Sequence, residues 1–156
     1  MRVAYAGSFD PITLGHTSVI ERATSLFDEL HILVANNRSK KHHFTIEQRT
    51  ELVRLSIPEG RNIKIIAFEG IVADYVNNNG IKAVIRGIRN ATDLEYELKL
   101  EQYMRTTTNA DTIYLSPIMA NMLTSSSLVR MFLTSGKSEL AKAYMADLAF
   151  EQMMTY

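Results

Sequence analysis

Residues 3–16, Val-Ala-Tyr-Ala-Gly-Ser-Phe-Asp-Pro-Ile-Thr-Leu-Gly-His, decide how this chain is to be read. Val3, Ala4 and Tyr5 make a short apolar run suited to a buried strand, and Val19, Ile20, Ala23, Leu26 and Phe27 recur at helical spacing beyond it. The stretch from Ala6 to His16 is therefore a strand-to-helix crossover. Gly7 and Gly15 suit a positive φ or a close backbone approach, and Pro11 stiffens the turn while withholding an N–H. His16 opens the helix, where unpaired N–H groups and the positive dipole end favour phosphate, and Ser8 adds a hydroxyl. Neither the six-residue dinucleotide fingerprint nor the Gly-Lys-Ser/Thr ending of a P-loop is present. The loop's parts suggest a phosphate site, with a plain helix cap as the other reading of His16.

Outward from this crossover the pattern alternates. Leu30 to Ala35 is a nearly continuous apolar strand, with His31 expected to find a local partner. Asn36 to Phe44 is a polar loop, and Thr45 with Gln48 forms a capping box for a helix that stops before Pro58. Ile63 to Ala67 is a third strand; Ile71 to Asn79 is a short helix ended by Gly80 in the left-handed position. Ala83 to Ile85 is the fourth strand, Thr92 with Glu95 caps a helix to about Arg105, and Asp111 to Leu115 is the fifth strand. Ser125 to Leu133 is helical with Gly136 after it, and Ser138 to Met154 reads as a final helix. Strands separated by helices imply an α/β fold: a single-domain, doubly wound, Rossmann-like five-stranded parallel sheet over residues 1–156, with helices on both faces.

Composition bounds the function. The 156 residues are 46% hydrophobic, enough for one globular domain. Seventeen basic residues balance seventeen acidic ones, which argues against broad binding to nucleic acid or a membrane surface. With no cysteine, disulfides and thiolate metal sites are excluded, and no metal-ligand spacing is evident around His42 and His43, which read as loop residues. No signal segment or membrane span is visible, so the expectation is a cytoplasmic protein.

In a doubly wound sheet, ligands collect beyond the carboxyl ends of the strands at the switch in strand order. The loops after strands one, two, four and five should therefore share one rim, and each carries phosphate-friendly residues. They are Ser8 and His16; Arg38, Ser39, Lys40 and Lys41; Arg86 and Arg89; and Ser125, Ser126 and Ser127. Each has a plainer reading: a solvated basic loop, ion pairing of the arginines with Asp93, Glu95 or Glu97, and an ordinary serine cap. The helix from Thr92 is also apolar on two faces, Leu94 and Leu98 against Tyr96, Leu100 and Tyr103, because four residues advance about 400° and two about 200°. One face is expected on the sheet and the other on a neighbouring subunit.

Gly-Ser-Phe-Asp-Pro-Ile-Thr-Leu-Gly-His, residues 7–16, resembles the signature loop of the nucleotidyltransferases that share a His/Thr-x-Gly-His motif. Within that superfamily, the chain is similar to the bacterial phosphopantetheine adenylyltransferases. Arg86-Gly-Ile-Arg89 followed by Leu94-Glu-Tyr-Glu97 is similar to that family's Arg-Gly-x-Arg and Phe-Glu-Tyr-Glu, and Thr124-Ser-Ser-Ser-Leu-Val-Arg130 to its second signature. Four motifs in the right order cover Arg2 to about Gly136. The chain departs from its relatives at Asn121-Met-Leu-Thr124, where many have an aromatic-containing segment, and Pro117 lies one residue closer to the first motif.

The resemblance implies transfer of the adenylyl group of ATP to 4′-phosphopantetheine, giving dephospho-coenzyme A and pyrophosphate, with coenzyme A as feedback inhibitor and a homohexamer as the assembly. It implies His16, Lys40 and Arg89 as catalytic, and Ser8, Lys40, Val72 and Arg86 as acceptor-binding. The ATP contacts implied are Ser8, Phe9 and His16 from the first loop; Gly87, Ile88, Arg89 and Glu97 after the fourth strand; and Asn121, Met122, Leu123, Thr124, Ser125, Ser126 and Ser127 after the fifth. A Mg²⁺ ion is expected from the chemistry, held mainly by substrate oxygens and water, with no metal site on the chain itself. Three alternatives stay open: a sibling transferase, such as one acting on nicotinate mononucleotide or making a cytidine diphosphate alcohol; a non-catalytic nucleotide sensor; and a fragment of a class I aminoacyl-tRNA synthetase.

Overall fold

A computed structural model describes residues 1–36, 41–57 and 62–156. Five strands, β1 (Arg2–Gly7), β2 (Glu29–Ala35), β3 (Ile63–Phe68), β4 (Ala83–Gly87) and β5 (Asp111–Leu115), form one parallel sheet in the order β3-β2-β1-β4-β5. The order reverses between β1 and β4, so the crevice of this doubly wound sheet opens where those two strands end. The predicted strands are all present, each within about two residues of its expected limits.

Side chains alternate across the sheet and build two cores. Val3 and Tyr5 of β1, Ile32 and Val34 of β2 and Ile85 of β4 face α1 (Leu14–Leu26), α2 (Ile46–Leu55), α5 (Ser126–Thr134) and α6 (Asp147–Met153). Ala4, Leu33 and Val84 face the other way, onto α3 (Val72–Asn78) and the end of α4 (Ala91–Thr107) at Met104. β2 is buried from Leu30 to Val34 because it is covered on both faces, as its unbroken apolar run requires.

The caps show where local sequence rules held. Thr45 and Gln48 form the expected reciprocal box, Thr45 N–H to Gln48 Oε1 at 2.9 Å and Gln48 N–H to Thr45 Oγ1 at 3.3 Å. Gly80 (φ 63°) and Gly136 (φ 71°) take left-handed positions after α3 and α5. Three expectations need correction. The cap of α4 is Asn90, whose side chain accepts from Asp93 N–H at 2.8 Å, so Thr92 lies inside the helix. The last helix is split: a 3-10 segment from Ser138 to Tyr144 precedes α6, with extended Met145 between them. Finally, neither apolar face of α4 rests on the sheet. Its acidic stripe turns inward, Glu97 to Arg86 and Glu101 Oε2 to the Tyr114 hydroxyl, leaving Leu94, Tyr96, Leu98 and Tyr103 exposed.

Candidate active site

The first crossover is shaped by contacts that pull it tight over the crevice. Gly7 and Gly15 both have ordinary φ, and their small size serves close approach. A Cβ on Gly15 would lie 2.5 Å from Thr124 Oγ1, and one on Gly7 3.1 Å from the Phe9 ring. The left-handed backbone falls instead on Phe9, at φ 46°, a conformation costing a non-glycine residue roughly 1–2 kcal/mol. Charged groups hold both neighbours of Phe9. The Ser8 carbonyl accepts from Arg49 Nη1 at 2.7 Å, and the Asp10 carboxylate accepts from the His43 and Phe44 N–H groups at 2.8 and 3.0 Å. Arg130 Nη1 donates to the Asp10 carbonyl.

α1 begins at Leu14, so His16 is the third residue of its first turn rather than the opening one. Its Nδ1 accepts from the Thr13 N–H at 3.1 Å, taking the place a glutamate or glutamine side chain has in a capping box. A backbone N–H can only donate, so the neutral ring carries its proton on Nε2. Burial, with the Arg89 charge adding to it, lowers the imidazole pKa from 6.5 to about 4. His16 is thus a neutral N–H donor at physiological pH. Its ring packs edge-on against Phe9, centroids 5.2 Å apart.

Across the crevice, Arg89 makes a bidentate pair with Asp93 (Nε to Oδ2 2.8 Å, Nη2 to Oδ1 3.2 Å) and donates through Nη1 to the Thr124 carbonyl at 3.2 Å. Arg86 Nε lies 3.3 Å from Glu97 Oε2. The ion-paired reading of these arginines is therefore realised, with Asp93 and Glu97 as partners. Glu97 is the less satisfied carboxylate: Oε2 makes no hydrogen bond, the only such buried side-chain oxygen or nitrogen among the described residues. Burial raises its pKa above the usual carboxylate value, Arg86 opposes this, and Asp93 adds to it. Gly87 lets β4 close on β1, since a Cβ there would sit 3.1 Å from the Tyr5 hydroxyl.

The third wall is the start of α5. Ser125 caps the helix by accepting from Leu128 N–H at 3.1 Å, Ser126 Oγ donates to the Pro11 carbonyl at 2.7 Å, and Ser127 Oγ accepts from Arg130 Nη2 at 3.1 Å. All three hydroxyls are engaged in structure, so what the helix start has left to offer an anion at the cavity it lines is its unpaired first-turn N–H groups. One stripe of α1 seats the preceding segment. The Leu14 carbonyl accepts from Asn121 Nδ2, Ser18 Oγ accepts from Ile118 N–H, and Arg22 Nη1 donates to the Ser116 carbonyl.

Together these walls enclose a cavity of about 580 Å³ whose lining includes Ser8, His16, Arg86, Gly87 and Arg89. Glu97, Thr124, Ser125, Ser126 and Ser127 also line it, so three of the four motif loops meet. Of the loop after β2, Lys41 is exposed and does not line the cavity, and Arg38, Ser39 and Lys40 lie outside the described residues. Phe9 is buried and Ile88 is tied by its N–H to the Leu115 carbonyl, and neither side chain lines the cavity. Nor do Asn121, Met122 or Leu123, the last being 88% exposed. Val72 opens α3 and packs on the second core, away from the cavity.

Sequence reasoning named Thr13 only as the first residue of its Thr-x-Gly-His motif and gave no role to Asp10 or Arg49. Asp10 sat inside the quoted loop without a role, and Arg49 carried one signal: it shares the Ile46–Val53 stripe of an otherwise amphipathic helix, where a solvated arginine does not belong.

A profile of the cytidylyltransferase-like family matches residues 4–132. Phosphopantetheine adenylyltransferases of Actinobacillus pleuropneumoniae serotype 7 (strain AP76) and serotype 3 (strain JL03) are each 42% identical over 129 residues, 82% of this chain and of the relative. The crystal structure of the lipopolysaccharide core biosynthesis protein from Thermoplasma volcanium GSS1 superposes with a TM-score of 0.56 at 24% identity, covering 75% of this chain and 97% of that one, a likeness of fold.

Proposed function

The chain belongs to the phosphopantetheine adenylyltransferases of the cytidylyltransferase-like family, and from that premise we propose how its residues work. It is a nucleotidyltransferase of coenzyme A biosynthesis, transferring the adenylyl group of ATP to 4′-phosphopantetheine. An oxygen of the acceptor phosphate attacks the α-phosphorus of ATP, the bond to the bridging oxygen breaks, and pyrophosphate leaves with that electron pair. The attacking group is already anionic, so no general base or covalent nucleophile is needed. The site's work is to hold two polyanions in line and to offset charge growing on the α-phosphate.

One observation carries this reading: His16, Arg86, Arg89 and the start of α5 line a single cavity at the switch point. His16 Nε2–H donates to an α-phosphate oxygen as the five-coordinate state forms. Arg89 neutralises phosphate charge while Asp93 fixes its fork. Ser8 and Arg86, which line the cavity, hold the acceptor phosphate, and the N–H groups of Ser126 and Ser127 hold the departing pyrophosphate. Lys40, from the basic loop, completes the catalytic set. Glu97 contacts the nucleotide side, and Thr124, which lines the cavity where Asn121, Met122 and Leu123 do not, flanks the base.

Mg²⁺ is part of the proposal as a passenger of the triphosphate. Among the described residues no group of three ligand-type side chains forms, and the carboxylates Asp93 and Glu97 are each committed to an arginine. When bound, it would screen phosphate charge from substrate oxygens and water. We also propose a homohexamer, supported by the exposed Leu94, Tyr96, Leu98 and Tyr103 of α4, with light scattering as the check. A cytoplasmic location and feedback by coenzyme A complete the reading; among the described residues, no helix is long and apolar enough to cross a membrane.

The test is pyrophosphate release from ATP with and without 4′-phosphopantetheine. Strict dependence on that acceptor is expected; release with nicotinate mononucleotide instead would overturn the substrate assignment.

A further inference from the structure

Arg49 is fully buried, yet among the described residues it has no carboxylate within hydrogen-bond distance. Its guanidinium spends its donors on oxygens from three segments. Nη1 donates to the Ser8 carbonyl at 2.7 Å and to the Ala35 carbonyl at 2.8 Å. Nε donates to the Phe44 carbonyl at 3.2 Å, and Nη2 to Asn36 Oδ1 at 3.1 Å. Burial lowers its pKa while Asp10 and Glu47 oppose that shift, so the charge is offset only at a distance. A group so costly to bury must do something a neutral residue could not. What it does is geometric. A planar fork bonds at once to the first crossover, to the end of β2 and to the segment leading into α2.

The first of those contacts lies one residue before Phe9, whose left-handed backbone turns the chain from the acceptor-facing Ser8 toward the ring packed on His16. On the far side of Phe9, the Asp10 carboxylate grips the same segment, at His43 and Phe44. Arg49 and Asp10 thus bracket the one non-glycine residue with positive φ among the described residues, and tie it to the end of β2 and to the segment leading into α2.

We propose that Arg49 is a positioning residue for adenylyl transfer, fixing Ser8 and the Phe9 turn so that the acceptor phosphate is aimed at the α-phosphorus. The inference rests on the function proposed above and adds a residue that contacts neither substrate. Arg49→Lys keeps the charge but cannot reach three carbonyls at fixed angles.

Steady-state kinetics of the unsubstituted enzyme, R49K, S8A and the double variant test it, with folding checked by circular dichroism and ATP affinity measured without acceptor. R49K is expected to lower kcat/KM for 4′-phosphopantetheine by about tenfold or more, the scale of a small misplacement of reacting groups. Its Kd for ATP should stay within about threefold, and in the S8A background the further loss should fall below about threefold, because the two act through one contact. Multiplicative losses in the double variant, or an ATP affinity that falls in step with kcat/KM, would overturn the proposal. Should R49K fail to fold, Asn36→Ala, which removes the Nη2 partner, decides: a rise in acceptor KM of about threefold is expected, and no change overturns it. Acceptor-dependent pyrophosphate release with unaltered R49K kinetics sinks this inference alone; no such release from the unsubstituted enzyme sinks the functional reading beneath it.

Discussion

Two glutamates among cations, at opposite ends of the same sheet, show what separates scaffold from site. At the amino end, Glu29 accepts from Arg2 Nε at 2.8 Å, pairs with His31 Nε2 at 2.8 Å and meets Lys64 Nζ at 2.7 Å. Hydrogen bonds from Lys64, His31 and Arg2 hold its carboxyl well below the usual carboxylate range. At the carboxyl end, half-buried Glu97 has one arginine at 3.3 Å and a buried oxygen without a hydrogen bond, and burial raises its pKa. The first cluster is saturated and has nothing left to offer a ligand. The second is under-satisfied, with cations and N–H groups gathered around a cavity. Polar groups arranged for stability satisfy one another; those arranged for binding leave something unmet.

The largest effect expected at the unsatisfied end is from His16→Ala. Loss of a single donor to developing charge is worth ~3 kcal/mol, so kcat should fall by two to three orders of magnitude while ATP affinity changes by less than about threefold. Equal loss in both would mean that His16 serves ground-state binding only. Glu97→Gln should raise the KM for ATP by about tenfold, equivalent to ~1.4 kcal/mol, with little change in the unfolding midpoint, because relief of its desolvated charge offsets the lost pairing with Arg86. A large fall in thermal stability would erase the contrast between the two ends.

Glu29→Gln should do the reverse, leaving kcat and KM unchanged and lowering the unfolding midpoint modestly. The sign with pH follows from its depressed pKa. The stability Glu29 contributes is present above its ordinary value of 4.5 and is lost as pH falls through its lower folded value, so the wild-type and variant midpoints should converge in acid. Persistent separation at low pH would contradict the charged-cluster account.

The fold was legible because its signals are local and periodic. The apolar runs at Leu30–Ala35 and Ala83–Ile85, the capping box at Thr45 and the glycines at 80 and 136 each act within one turn or strand. The cap of α4 was misread because Thr92–Glu95 and Asn90–Asp93 overlap, and Asn90 gained by sitting where the chain leaves the strand end, which Arg89 pins to Asp93. The outward turn of α4's apolar faces was not legible: periodicity marks two apolar stripes and is silent on which side meets the sheet.

The candidate site was legible as a gathering of residues whose chemistry is conspicuous in a loop, since His16, Arg86, Arg89 and Ser125 to Ser127 line one cavity. It was illegible where a residue acts through carbonyls of distant segments. Arg49 touches Ser8, Ala35, Asn36 and Phe44, and nothing near it in the sequence announces that.

The central claim is that Thr13 and burial keep His16 as a neutral Nε2–H donor facing the phosphates. Nitrogen and proton NMR of histidine-labelled protein, titrated from neutral pH into acid, tests it most directly. A midpoint near 4 with the proton on Nε2 throughout the neutral range is the expected result, accompanied by loss of stability between pH 6.5 and 4 as the unfolded chain takes up the proton first. A ring that titrates near 6.5, or one that carries its neutral-state proton on Nδ1, would contradict the account.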